Sequence, residues 1–266
     1  ITGLYQTSIG AHNHRSHRDD GYMLPPPATV ITDYFRRAGY FTSNCAGLSY
    51  KKPGKTDWNF TPRGEPFDGT DWSRRKPQQP FFAQINFNMT HRDFQRDKNN
   101  PIDPASVELP PYYPDHPVAR RDWANYLEAM QVLDTEIGVA LQWLQKEGEL
   151  DNTIVLYFGD NGRPHVRGKQ WLYEGGIHVP LIVRWPGRVQ SGTVVEDLVS
   201  EIRAGLDVVA LPVALHPAGA PGACLTGLVG PILQANRKQA RVLVGQVDHL
   251  SLLMRHICGH DEQGDD

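Results

Sequence analysis

Ile154-Val155-Leu156-Tyr157-Phe158, followed at once by Gly159-Asp160-Asn161-Gly162, is the stretch on which the fold turns. Behind it come Lys169, Glu174-Gly175-Gly176, Val179-Pro180, an apolar Leu181-Ile182-Val183-Arg184 and Trp185-Pro186-Gly187. An unbroken apolar run bounded by turn formers marks a buried strand rather than a half-exposed one. This strand delivers a carboxylate and an amide oxygen at its end, the donors a hard divalent cation takes. Lys169 adds a compact positive charge a short loop later, suited to gripping an oxyanion from one side. Asp-Asn-Gly alone also reads as an ordinary strand-ending turn, because Asn and Gly tolerate left-handed backbone and Asp bonds its own main chain.

Working outward, Phe81 to Phe87 is a second buried strand, bounded by Pro80 and closed by Asn88-Met89-Thr90-His91. From about Val118 to Gly148 a long amphipathic helix is predicted, with Tyr126, Met130, Leu133, Ile137, Leu141 and Leu144 at helical spacing. Thr29 is the expected N-cap of a shorter helix through Tyr34 and Phe35 to Ala38, with Gly39 as its stop and a strand over Tyr40 to Ser43. Residues 46–80 and 95–117 carry no periodicity and read as surface loop. Strand, helix, strand in this order implies crossovers, and therefore an α/β fold with a mostly parallel central sheet and helices on both faces. Ligands gather at the carboxyl ends of strands in such sheets, so His91 and Asp160 are expected on one rim.

The chain has 266 residues, 39% hydrophobic content and a net charge of −3. That suits one substantial core, and it offers neither a basic stripe for nucleic acid nor an apolar run long enough for a membrane helix. Cys45, Cys224 and Cys258 lack metal or disulfide spacing and read as apolar thiols. Asn59 and Asn88 sit in the glycan acceptor pattern, a frequent chance match. His12, His14 and His17 form a His-x-His-x-x-His cluster that reads either as a metal site or as a loop. His165 and Arg167 are expected at the mouth of the Asp160 site, with no assignable role.

The string from Asp160 through Lys169 and Glu174-Gly175-Gly176 to Trp185-Pro186-Gly187 resembles the second signature region of the sulfatases, members of the alkaline phosphatase superfamily. Ile1-Thr2-Gly3 is similar to the tail of their nucleophile motif, Cys-x-Pro-Ser-Arg followed by Thr-Gly, in which the cysteine becomes formylglycine. The resemblance covers residues 1–200 and implies a partial catalytic domain there, of alkaline-phosphatase-like fold and truncated at its N-terminus. In residues 201–266, where Leu198-Val199-Ser200 gives way to Glu201-Ile202-Arg203, the family pattern is lost, through divergence or a disrupted reading frame. The chain is expected to be a fragment without its nucleophile and hence inactive.

The resemblance further implies that Asp160 and Asn161 bind one Ca2+ and that Lys169 and Lys55 contact the sulfate. His91 would bond and protonate the departing oxygen. Lys55 belongs to Gly54-Lys55-Thr56-Asp57, where many sulfatases have Gly-Lys-x-His; Asp57 replaces the histidine and leaves one cation fewer near the anion. Read from the residues alone, His91 is a strand-end histidine and Lys55 is either a sulfate contact or a solvated lysine near Lys51 and Lys52. The implied parent is a sulfuric ester hydrolase acting on a sulfated sugar or glycan, periplasmic, secreted or lysosomal. Rival readings are a phosphoric ester hydrolase of the same superfamily, for which two metals are expected, and a non-catalytic binding protein on the same fold.

Overall fold

The computed structural model describes residues 1–12, 20–197 and 199–200, and the backbone of 241–247. The chain divides into two compact units, one built mainly on Ile1–Cys45 and Tyr50–Ala83, the other mainly on Ala46–Ser49 and Gln84–Gly192. The divergent stretch suspected beyond residue 201 lies, apart from that one backbone segment, outside the described residues.

In the first unit, helix α1 (Ile31–Arg37) leads into strand β1 (Phe41–Ala46). The predicted cap is corrected by one residue: Val30 is the N-cap and offers no side-chain bond, while the Thr29 hydroxyl donates instead to the Asp33 carboxylate. Gly39 ends the helix at φ +86°, a left-handed conformation open to glycine at little cost. Phe35, fully buried, stacks on Phe82 at 4.6 Å between ring centroids and meets Tyr40 edge-on at 5.0 Å. Strand β2 (Phe81–Phe87) lies beside β1, the Phe41 amide donating to the Pro80 carbonyl at 2.9 Å.

The expectation that 46–80 is surface loop fails for two of its aromatic residues. Trp72, in a 3-10 turn capped by Asp71, is buried and stacks on Phe81 at 5.7 Å, and Phe60 is buried with Ile9, Leu24 and Val30. These residues are too sparse to show a period, yet burying each ring contributes on the order of 2 kcal/mol, which is enough to fold an irregular segment onto a core.

In the second unit, α2 (Pro117–Lys146) starts with a proline in its first turn, where the missing amide costs nothing, and His116 caps it. Its buried stripe includes Tyr126, Met130, Leu133, Ile137, Leu141 and Leu144, as the periodicity predicts. The strands that follow are β3 (Thr153–Gly159) and β4 (Leu181–Arg184), with a single helical turn, α3 (Glu174–Ile177), between them. The backbone of β5 (Arg241–Val247) completes the order β2-β5-β3-β4. The α/β class and the β2-α2-β3 succession agree with the sequence. The crossover expectation fails for the last pair, because β3 and β4 are antiparallel, with Leu156 opposite Val183 and Phe158 opposite Leu181. A single turn of helix is too short to carry the chain back across a sheet, so the loop between these strands is a wide hairpin.

Candidate functional site

Asp160 and Asn161 follow the last residue of β3, and the Gly159 amide donates to the Pro180 carbonyl at 3.2 Å, closing the base of the hairpin. The intervening loop doubles back on itself through its glycines. The Gly162 amide donates to the Gly176 carbonyl at 3.0 Å, and a Cβ on Gly162 would fall 1.9 Å from the Gly175 oxygen. A Cβ on Gly176 would lie 2.0 Å from the Trp171 oxygen, and one on Gly168 2.0 Å from the Arg163 oxygen. None of these glycines has positive φ. Asp-Asn-Gly and Glu-Gly-Gly are therefore paired parts of one tightly wound loop, and glycine is required for close approach rather than for left-handed backbone.

Asn161 Oδ1 is buried and accepts no hydrogen bond from the described residues. Such an oxygen costs free energy unless something else coordinates it, so Asn161 beside Asp160 fits one side of a hard cation's shell. Among the described residues, no group of three or more His, Cys, Asp or Glu side chains is placed to hold a metal. Lys169 is half-buried and is held in the same loop by its amide, which donates to the Arg163 carbonyl at 2.8 Å.

His91 sits in the turn that ends β2, its amide donating to the Asn88 carbonyl at 3.0 Å. Its Nδ1 is 2.7 Å from the Arg92 carbonyl. A carbonyl only accepts, so Nδ1 carries the proton in that bond, and in the neutral ring Nε2 is left with its lone pair.

The His91 turn and the Asp160 loop are tied together through Arg92. Its Nε donates to the Pro164 carbonyl at 3.2 Å, and its two terminal nitrogens donate to the two oxygens of Asp122, on α2, at 2.5 and 2.7 Å. This fork-to-carboxylate pairing holds Asp122 below the usual carboxylate range, against the opposing effect of its partial burial. Asp122 Oδ2 also lies 3.2 Å from His165 Nε2. The His165 side chain is only 6% exposed. It packs among Phe94, Trp123 and Tyr126 at 5.6, 5.2 and 5.1 Å between centroids. Burial lowers its pKa to about 4, Asp122 opposing and Arg92 and Arg163 assisting, so the ring is neutral at neutral pH. His165 is therefore a buried post of the loop, not a residue at its mouth. Arg92 and Asp122 escaped the sequence reading; the signal for them was faint, namely an arginine directly after His91 and Asp122-Trp123 in the first turns of a helix.

In the first unit, Lys55 Nζ and Asp57 Oδ2 form an ion pair at 2.9 Å, both side chains about half-exposed. The loop is anchored to β1 by the Gly54 amide on the Asn44 carbonyl at 3.3 Å. Substitution of the expected histidine by Asp57 thus commits part of the Lys55 charge to a neighbour. Cys45 is buried in β1, its thiol pushed up to about 12 by burial and then by Asp71, which keeps it protonated and makes it a poor nucleophile. His12 is exposed, while His14 and His17 lie outside the described residues.

A strand-end Asp-Asn pair, a lysine on the same glycine-packed loop and a histidine turn tied to it make up the candidate site of an α/β protein. A sulfatase family model matches residues 5–209. The chain belongs to the sulfatase family. It is 28% identical over 246 residues to an ulvan-active sulfatase of Formosa agariphila, a match covering 75% of this chain and 40% of that protein. It is 37% identical over 84 residues to the human N-sulphoglucosamine sulphohydrolase, covering 32% of this chain and 17% of that one. A solved structure from a glycosaminoglycan-metabolism locus of Bacteroides thetaiotaomicron matches with TM-score 0.55 and 18% identity, over 81% of this chain and 58% of the other. That likeness carries the alkaline-phosphatase-like α/β fold. The chain spans about 40% of the length of the ulvan-active relative. No helix among the described residues is long and apolar enough to cross a membrane.

Proposed function

We propose that the gene product carrying these residues hydrolyses sulfate esters, or N-linked sulfate, on a sugar or glycan. The observation that carries the reading is the bond from Arg92, next to His91, to the Pro164 carbonyl of the Asp160 loop, because it ties a proton donor to an oxyanion site. Asp160 and Asn161 contribute oxygen ligands to a divalent cation, Ca2+ by family resemblance, which when bound polarises a sulfuryl oxygen. Lys169 neutralises remaining sulfate oxygens; the sulfate-contacting role of Lys55 and the hydroxyl-orienting role of Asp57 are carried over from the family resemblance of Gly54-Lys55-Thr56-Asp57. His91, held through Nδ1–H by the Arg92 carbonyl, acts as an imidazolium whose Nε2–H passes its proton to the departing oxygen, leaving the ring neutral with Nδ1 still protonated.

No Cys-x-Pro-Ser-Arg occurs within the 266 residues, so the formylglycine nucleophile is not among them, and residues 1–200 by themselves are proposed to bind anion without turnover. Relatives named for ulvan and N-sulphoglucosamine support a sulfated saccharide as substrate. The test is sulfate release from sulfated oligosaccharides by the gene product, with and without a calcium chelator. Release that the chelator abolishes is expected. Full activity in excess chelator, or phosphate-ester cleavage without sulfate release, refutes the assignment.

A further inference from the structure

Building on the proposed function, we infer that Arg167, with Tyr112, Trp171 and Tyr173, forms a docking platform for a second anionic sugar unit, so that the substrate is a multiply charged oligosaccharide. Trp171, Leu172 and Tyr173 are 57%, 91% and 49% exposed, three consecutive bulky residues held out to solvent. Their backbone is not loose: the Trp171 amide donates to the Gly168 carbonyl at 3.1 Å, the Gly176 amide to the Tyr173 carbonyl at 2.7 Å, and the Tyr113 hydroxyl to the Val166 carbonyl at 2.9 Å. Large apolar groups displayed on a fixed backbone mark an interaction site rather than scattered surface.

The Arg167 guanidinium lies over two rings, 5.1 Å from the Tyr112 centroid and 5.0 Å from that of Tyr173. Stacking occupies the faces of the group and leaves its in-plane N–H edge for two parallel bonds to a sulfate or carboxylate. Arg167 and Gln170 have φ of 58° and 74°, left-handed backbone in residues that rarely adopt it, on either side of Lys169. Conformations of this kind persist where the surrounding structure imposes them, and they cluster at ligand clamps. Trp171 and Tyr173, 6.5 Å apart and tilted by 40°, add ring faces of the type on which the C–H faces of sugars stack.

Charge selects the occupant. Arg163, Arg167 and Lys169 share the loop with two carboxylates, Asp160 at its base and Glu174, which has His178 3.3 Å away, so the balance of charge favours an anion over a neutral sugar or an apolar protein face. Arg167, Trp171 and Tyr173 lie within four residues of Lys169 on the same loop, so the second anionic group is bound by the loop that carries the proposed sulfate contact.

The experiment compares the gene product with its Arg167→Ala and Arg167→Lys variants. Equilibrium binding of a sulfated oligosaccharide is read without turnover, and kcat/KM is read on that oligosaccharide and on a simple aryl sulfate. Arg167→Ala is expected to weaken oligosaccharide binding about tenfold and to lower the oligosaccharide-to-aryl-sulfate ratio of kcat/KM by a similar factor, through KM. Arg167→Lys, which keeps charge but loses the stacked fork, falls between. An equal loss on both substrates, equally tight binding of the desulfated oligosaccharide or of inorganic sulfate, or a changed oligomeric state in the variants overturns the platform. Failure of the underlying reading looks different: the unaltered protein then releases sulfate from neither substrate, while the binding comparison still decides on Arg167.

Discussion

His165 makes the stability of the second unit depend on pH in a window that can be stated in advance. In the unfolded chain its imidazole takes up a proton near the ordinary value of 6.5, whereas in the fold, ringed by Phe94, Trp123 and Tyr126, it does so only at about 4. Between those values the unfolded state binds more protons, so stability falls as pH falls, and the loss levels off below about 4. Each pH unit of the window removes about 1.4 kcal/mol, giving a total of about 3 kcal/mol. Asp122 contributes in a different range. Its carboxyl is held below the ordinary value, so its stabilisation is full above the unfolded carboxylate pKa and is lost only as pH drops through the folded one. Urea unfolding followed by tryptophan fluorescence, at intervals from pH 7 to pH 4, measures the slope. His165→Phe keeps the ring's packing and removes the titration, so its curve should be flatter by about 3 kcal/mol across the window. If the variant and the parent lose stability in parallel between pH 6.5 and 4, the buried neutral imidazole is refuted.

Two further outcomes follow from the loop. Lys169→Ala should cut sulfate-ester kcat/KM of the gene product by at least about a hundredfold, the scale of losing one preorganised oxyanion contact; unchanged turnover removes Lys169 from its role. Gly162→Ala places a methyl where the Gly175 carbonyl stands 1.9 Å away, so the hairpin must open, at a cost of at least about 2 kcal/mol in urea unfolding, with loss of turnover. An unshifted unfolding midpoint would show that Asp-Asn-Gly and Glu-Gly-Gly do not touch.

Much of the architecture was written locally. The apolar runs at 81–87 and 153–158, the stripe along α2 and the stop at Gly39 all depend on neighbours a few residues away, and each element appears where its pattern places it. The wide antiparallel hairpin was not legible, because strand direction depends on whether the connection is long enough to cross the sheet, and the helix in it proved to be a single turn. Trp72 and Phe60 were misread as surface for a similar reason: burial of an isolated ring in an aperiodic segment is decided by where the core lies.

The sequence by itself determined the residue types of the candidate site, since Asp160, Asn161, Lys169, His91 and Lys55 with Asp57 are chemically marked and fall in recognisable strings. Only the tertiary structure decided what the glycines and the basic residues around them do. Gly162 and Gly176, 14 positions apart, pack backbone to backbone; Arg92 reaches 72 positions along the chain to Pro164; and His165 is enclosed by aromatic rings from two distant segments. Contacts of that range arise from the closing of the chain upon itself, and their free energy depends on geometry that no short window of sequence contains.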